Sequence, residues 1–166
     1  MPERNYGGSR LLRLGRSSLA GHVYMLTACT ENRRPIFRDL FSARLLVREF
    51  QRAEVDGLVR SIAYVVMPDH FHWMVRLGSV SDLSSLVQQV KGRSAFGINR
   101  MKGVSRRVWQ DGFHDRAVRR GQDLRALARY IVANPLRAGL VEDIGDWPHW
   151  DAVWVEGGGD DSPLEP

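Results

Sequence analysis

Residues 61–77, SIAYVVMPDHFHWMVRL, hold two runs of β-branched and aromatic residues, 61–67 and 70–77, separated only by Pro68 and Asp69. A two-residue break between strand-like runs is the signature of an antiparallel hairpin. Successive strand side chains point to opposite faces, so His70, His72, Met74 and Arg76 share one side of the second strand and Phe71, Trp73, Val75 and Leu77 the other. The aromatic and aliphatic set is the natural core face. The expectation is therefore a hairpin that aims two neighbouring imidazoles and an arginine at an accessible surface.

Working outward, 22–29 (HVYMLTAC) reads as a strand, followed by a polar loop, ENRRP. From Asp39 to Glu54, Phe41, Leu45, Leu46 and Phe50 recur near helical spacing and predict an amphipathic helix. After the hairpin, Ser81 or Asp82 caps a second helix with Leu83, Leu86, Val87 and Val90 on one stripe, weakened in its later half by Gly92 and Gly97. The stretch 105–120, SRRVWQDGFHDRAVRR, contains a short strand. Gln122 or Asp123 then opens a third helix on Leu124, Leu127, Ala128 and Ile131, which carries Tyr130 and is interrupted at Asn134–Pro135. A helical turn ending at Gly139 follows. Strands and helices in the order β, α, β, β, α, β, α predict an α+β fold with helices packed on an antiparallel sheet.

A chain of 166 residues with 43% apolar and 26% charged side chains suits one globular domain with its own core. The expected boundaries are a basic arm over 1–20, the folded domain over 21–155, and an acidic tail over 156–166 with too little apolar surface to order itself. No stretch reaches the roughly 18 apolar residues of a membrane helix. Cys29 is the lone cysteine, and arginines break up the first residues, which together point to a cytoplasmic protein without membrane association. The formal charge is +5, but the tail holds Glu156, Asp160, Asp161 and Glu165 and no basic residue. Without the tail, 24 basic face 15 acidic side chains, an excess of +9 that suits a polyanionic partner.

Paired imidazoles at this spacing can ligate one divalent cation, each through a neutral nitrogen. As residues alone, His70 and His72 could equally be ordinary half-buried polar groups, and Tyr130 an amphipathic-helix tyrosine that merely packs. Lys91, Arg93, Arg106, Arg107, Arg116, Arg119 and Arg120, interleaved with Trp109 and Phe113, could contact phosphates and stack on unpaired bases, or form a solvated basic face. Trp147, Trp150 and Trp154 read as core-closing aromatics or base platforms. For His114, local hydrogen bonding is the simplest role.

Taken together, VVMPDHFHWMV (65–75), WQDGFHDRAVRR (109–120) and YIVANPLRAGLV (130–141) resemble the REP-associated tyrosine transposases, within the single-tyrosine HUH transposases, over about residues 20–150. The resemblance implies a ferredoxin-like α+β domain and cleavage of single-stranded or hairpin DNA, with Tyr130 as the nucleophile that becomes joined to a 5′-phosphate. It implies that His70 and His72 hold Mg²⁺ or Mn²⁺ and that the protein acts as a monomer rather than a homodimer. Asn134, one helical turn beyond Tyr130, becomes a candidate third ligand through its amide oxygen; as the residue before Pro135 it is equally a candidate helix cap. A catalytically silent DNA-binding regulator of repeat elements is the alternative.

Overall fold

The computed structural model describes residues 18–153. Most of the expected basic arm, the whole acidic tail and Trp154 lie outside the described residues. The strands are β1 (Val23–Cys29), β2 (Val59–Met67), β3 (His70–Leu77), β4 (His114–Ala117) and β5 (Trp150–Ala152). They form one antiparallel sheet in the order β4-β1-β3-β2-β5. The first four strands with α1 (Leu40–Val55) and α2 (Leu83–Lys102) reproduce the expected ferredoxin-like arrangement. β5 extends the sheet beyond β2 and was not foreseen, because three residues are too few for a period-two pattern to register.

Local chemistry sets the element boundaries. Asp39, Asp82 and Asp123 each accept a hydrogen bond from the backbone amide three residues on, capping α1, α2 and α3 (Leu124–Val132). At the other end of α2, Gly103 takes the left-handed conformation at φ 62° and lets the chain leave. Gly92 and Gly97 do not break this helix. Gly97 lies 3.6 Å from the Leu45 side chain of α1, so tertiary packing offsets the weak helix propensity. α3 ends at Val132, and α4 (Asn134–Arg137) is the short turn expected before Gly139.

Both faces of the sheet are covered. On the first, α1 and α2 bury Leu26, Phe71, Trp73 and Val75; Phe50 stacks on Trp73 with ring centroids 4.4 Å apart, and the indole donates to Ser61 Oγ at 2.9 Å. On the second, α3, through Ala128 and Ile131, and Trp147 close over Ile62, Val65 and Met74. This corrects the expectation that the histidine side of β3 faces an accessible surface: Met74, two residues from His72, is completely buried. The apolar stripe of α3 has to be covered by something, and the β2–β3 portion of this face covers it. Trp147 and Trp150 are core-closing, their indoles donating to the carbonyls of Val66 and Ile144.

Candidate active site

Along the second face, strand register sets His114, Thr27, His72, Val65 and Trp150 in one row across all five strands. α3 covers the β2 end of that row. The site lies where its cover stops.

His70 opens β3 directly after the Pro68–Asp69 turn. That turn is pinned from outside: Phe37 N–H donates to the Pro68 carbonyl, and the backbone N–H of Thr30 donates to the Asp69 carbonyl. Held this way, the Asp69 carboxylate accepts from His70 Nδ1 at 2.7 Å and pairs with Arg33 Nε at 3.1 Å. A carboxylate can only accept, so the proton sits on Nδ1 and the Nε2 lone pair of His70 is left available. Bonding to His70 is also the main reason the Asp69 carboxyl is held below its ordinary value, with the Arg33 charge adding to it.

His72 repeats the arrangement with a neutral partner. Thr27, its cross-strand neighbour, places Oγ1 2.8 Å from Nδ1. With the hydroxyl accepting from Nδ1–H, this ring has the same tautomer as His70, and its Nε2 is likewise a donor to a cation. The two rings stand edge to face with centroids 4.9 Å apart. Burial, followed by the charges of His70, Arg137, Arg33 and His114, pushes His72 down to about 3, which keeps the ring neutral and fit for ligation. Thr27 and Asp69, which hold the imidazoles, escaped the sequence reading. Asp69 could have been suspected from its place beside His70, whereas Thr27 needs the strand register.

That shift predicts a pH dependence of stability. Between about 3 and the ordinary histidine value of about 6.5, unfolded chains bind a proton at His72 that the native state excludes. Stability is therefore expected to rise with pH across this window and to fall as pH drops from about 6.5. His149, held down by burial and then by Arg44, acts in the same direction. Asp69 adds its loss only at more acid pH, below its ordinary carboxylate range. Urea midpoints measured from pH 8 to 4 should fall below about pH 6.5 and fall less steeply in His72→Gln. An unchanged slope in the variant would remove His72 as a cause.

Tyr130 lies on α3 with 61% of its surface exposed, so it does not belong to the second core. Arg137 of α4 folds back over it. The guanidinium carbon is 3.8 Å from the ring centroid, and Nη1 donates to the Tyr130 carbonyl at 2.7 Å. The charge of the same guanidinium also bears on His72, which links the Tyr130 helix electrostatically to the histidine pair within one chain. Asn134 does not cap α4. It is the first residue of that helix, and its Nδ2 donates to the Ile131 carbonyl at 2.8 Å, so Oδ1 is the atom that could serve as a ligand. Among the described residues no group of three or more His, Cys, Asp or Glu gathers into a metal site, so any cation at the imidazoles also needs oxygen donors of other types.

The expected DNA-contacting residues do not form one surface. Trp109 is buried against Phe37 and Phe71 and donates to Ser94 Oγ at 3.1 Å; it is a core residue and offers no platform to a base. Lys91 is half-buried, with its ammonium donating to the carbonyls of Gln110 and Gly112 at 2.6 and 2.7 Å, and thereby fastens the loop before β4. Arg93 belongs to α2, on the opposite side of the sheet from the histidines, 3.7 Å from Asp56. Arg106 and Arg107 are exposed on the segment after α2, and Arg107 pairs with Asp111 and Glu31. Arg116, on the edge strand β4, shares the histidine face with His114, and the exposed Arg119 follows on the same strand's exit. A mainly apolar cavity of about 330 Å³ lies between α3 and β5, lined by Ala128, Val132, Leu136, Ile144 and Trp150, away from these groups.

Comparison with known proteins identifies the fold and the family. The family described as "Transposase IS200 like" matches residues 18–134. A REP-associated tyrosine transposase of Escherichia coli (strain K12) is 28% identical over 141 residues, covering 78% of this chain and 76% of that protein. Among solved structures, that of a REP-associated tyrosine transposase bound to a REP hairpin superposes with a TM-score of 0.67 at 26% identity, covering 81% of this chain and 79% of the other. The match spans the strand that carries both imidazoles and the helix that carries Tyr130, and the chain belongs to the IS200-like transposases, DNA-acting enzymes of the single-tyrosine HUH type.

Proposed function

We propose that the chain cleaves and rejoins single-stranded DNA next to a repeat-associated hairpin, through a covalent bond between the Tyr130 phenol oxygen and a 5′-phosphate. The observation that carries this reading is the pair of imidazoles, each held through Nδ1 with Nε2 open, beside a helix that exposes a tyrosine. In the forward step the Tyr130 oxygen forms a bond to phosphorus and the bond from phosphorus to the 3′-oxygen breaks. The phenol proton passes to solvent, and solvent returns one to the departing 3′-oxygen, leaving a free 3′-hydroxyl. One phosphodiester replaces another, so rejoining by a 3′-hydroxyl needs no nucleotide cofactor.

The donor set fits a divalent cation such as Mg²⁺ or Mn²⁺: the Nε2 atoms of His70 and His72, with Asn134 Oδ1 as the third candidate. When bound, such an ion polarises the non-bridging oxygens of a phosphate. Asp69 and Thr27 keep both rings in the ligating tautomer. Arg116 and Arg119 supply charge for the strand as it leaves the site toward β4. Arg137 stacks on Tyr130 and its charge also reaches His72 of the same chain, which supports action as a monomer. Both imidazoles and an exposed phenol favour a reacting enzyme over a silent regulator that keeps only the binding surface.

A labelled single-stranded hairpin incubated with the folded protein and Mg²⁺ or Mn²⁺ is expected to give a denaturation-resistant protein–DNA adduct. Tight binding without adduct across a panel of hairpins would favour the regulator instead.

A further inference from the structure

We propose that Arg137 is a catalytic residue, its guanidinium gripping the scissile phosphate between Tyr130 and the histidine pair. The inference rests on Tyr130 being the nucleophile. Its basis is placement. The guanidinium lies 3.8 Å from the Tyr130 ring centroid and is anchored to the backbone of that same residue, and its charge reaches His72. Anchoring takes one of the five N–H donors of the group and leaves others for a ligand. Arg137 is exposed, so an incoming phosphate can reach it without unpacking the protein. The other arginine whose charge reaches His72, Arg33, is instead tied to Asp69 and to the Cys29 sulfur.

Stacking on an exposed ring is worth only about 0.5–1 kcal/mol and does not by itself call for this construction. A phosphate does. As the Tyr130 oxygen approaches phosphorus, negative charge grows on the two non-bridging oxygens, and the planar fork of a guanidinium matches a pair of such oxygens. Arg137 moves no proton and forms no covalent bond in this step. It stabilises charge that is greatest in the transition state, and its attachment to Tyr130 makes nucleophile and clamp one unit.

The test compares single-turnover adduct formation by wild type, Arg137→Ala and Arg137→Lys on two hairpin substrates. One carries the natural phosphodiester, and the other a neutral methylphosphonate at the mapped scissile position. Melting temperatures check folding, and Arg137→Gln serves should the alanine variant be unstable. On the phosphodiester, Arg137→Ala is expected to be slower by about 100- to 1,000-fold, with lysine recovering part of the loss and DNA affinity little changed. On the neutral substrate, wild type and Arg137→Ala should react at comparable rates, because the anionic charge of the diester and one of the two oxygens that the guanidinium fork would grip are gone. An equal loss on both substrates would assign Arg137 to holding Tyr130 in place and overturn the proposal, as would an unimpaired alanine variant or a neutral substrate inert to both proteins. Absence of adduct from wild type on the phosphodiester would instead remove the Tyr130 reading, and this one with it.

Discussion

Tyr130→Phe is expected to yield no covalent protein–DNA adduct under any metal condition, while hairpin binding is retained. The argument is one of atoms. The substitution deletes the only group on this side chain that can bond to phosphorus and leaves the ring and its stacking with Arg137 intact. Because 61% of the residue is exposed, no core contact or buried hydrogen bond is lost with the hydroxyl, and the melting temperature should be unchanged. Loss of adduct with retained fold and binding thus isolates chemistry from recognition. Measured by denaturing gel and by DNA-binding titration on one preparation, adduct persisting in the phenylalanine variant would place the nucleophile elsewhere.

Replacing His70 or His72 by alanine is expected to remove metal-dependent cleavage and to weaken Mn²⁺ binding by more than about 100-fold, since loss of an outer-shell partner alone already costs about 10–100-fold. The two variants should differ in their side effects. His70→Ala frees the Asp69 carboxylate, which keeps its pairing with Arg33. His72→Ala leaves the Thr27 hydroxyl without its partner in a largely covered position, at a stability cost of about 1 kcal/mol. Neither change approaches the roughly 5–15 kcal/mol that holds a domain of this kind folded, so the lost activity will not be a consequence of unfolding. Direct titration of Mn²⁺ with each variant separates the possibilities. Wild-type affinity in either one would exclude that imidazole as a ligand.

How far the sequence announces all this differs from element to element. The hairpin at 61–77 is legible because two runs of β-forming residues meet at Pro68–Asp69, and the helices because aspartates stand at their N-termini ahead of apolar residues at helical spacing. The burial of the histidine face is not legible there. In Met74 and Arg76 an apolar and a charged residue continue the histidine series, and only the arrival of α3 from 50 residues downstream decides which is covered. Trp109 stands among arginines in the sequence, but its partners in the fold are Phe37, Phe71 and Ser94, all distant in sequence. Lys91 is a cation by type and a loop fastener by position. Thr27 acquires a role only through its register opposite His72. In each case the residue type was readable, and the partner that gives it meaning lies on another strand or helix.

The most direct measurement is mass spectrometric mapping of the nucleotide-bearing peptide after the wild-type protein has reacted with a single-stranded hairpin. The account predicts that the added mass resides on Tyr130 alone, linked through the 5′-phosphate. Finding it on Tyr24, on Tyr64 or on any serine, or recovering cleaved DNA with no protein-linked strand, would contradict it.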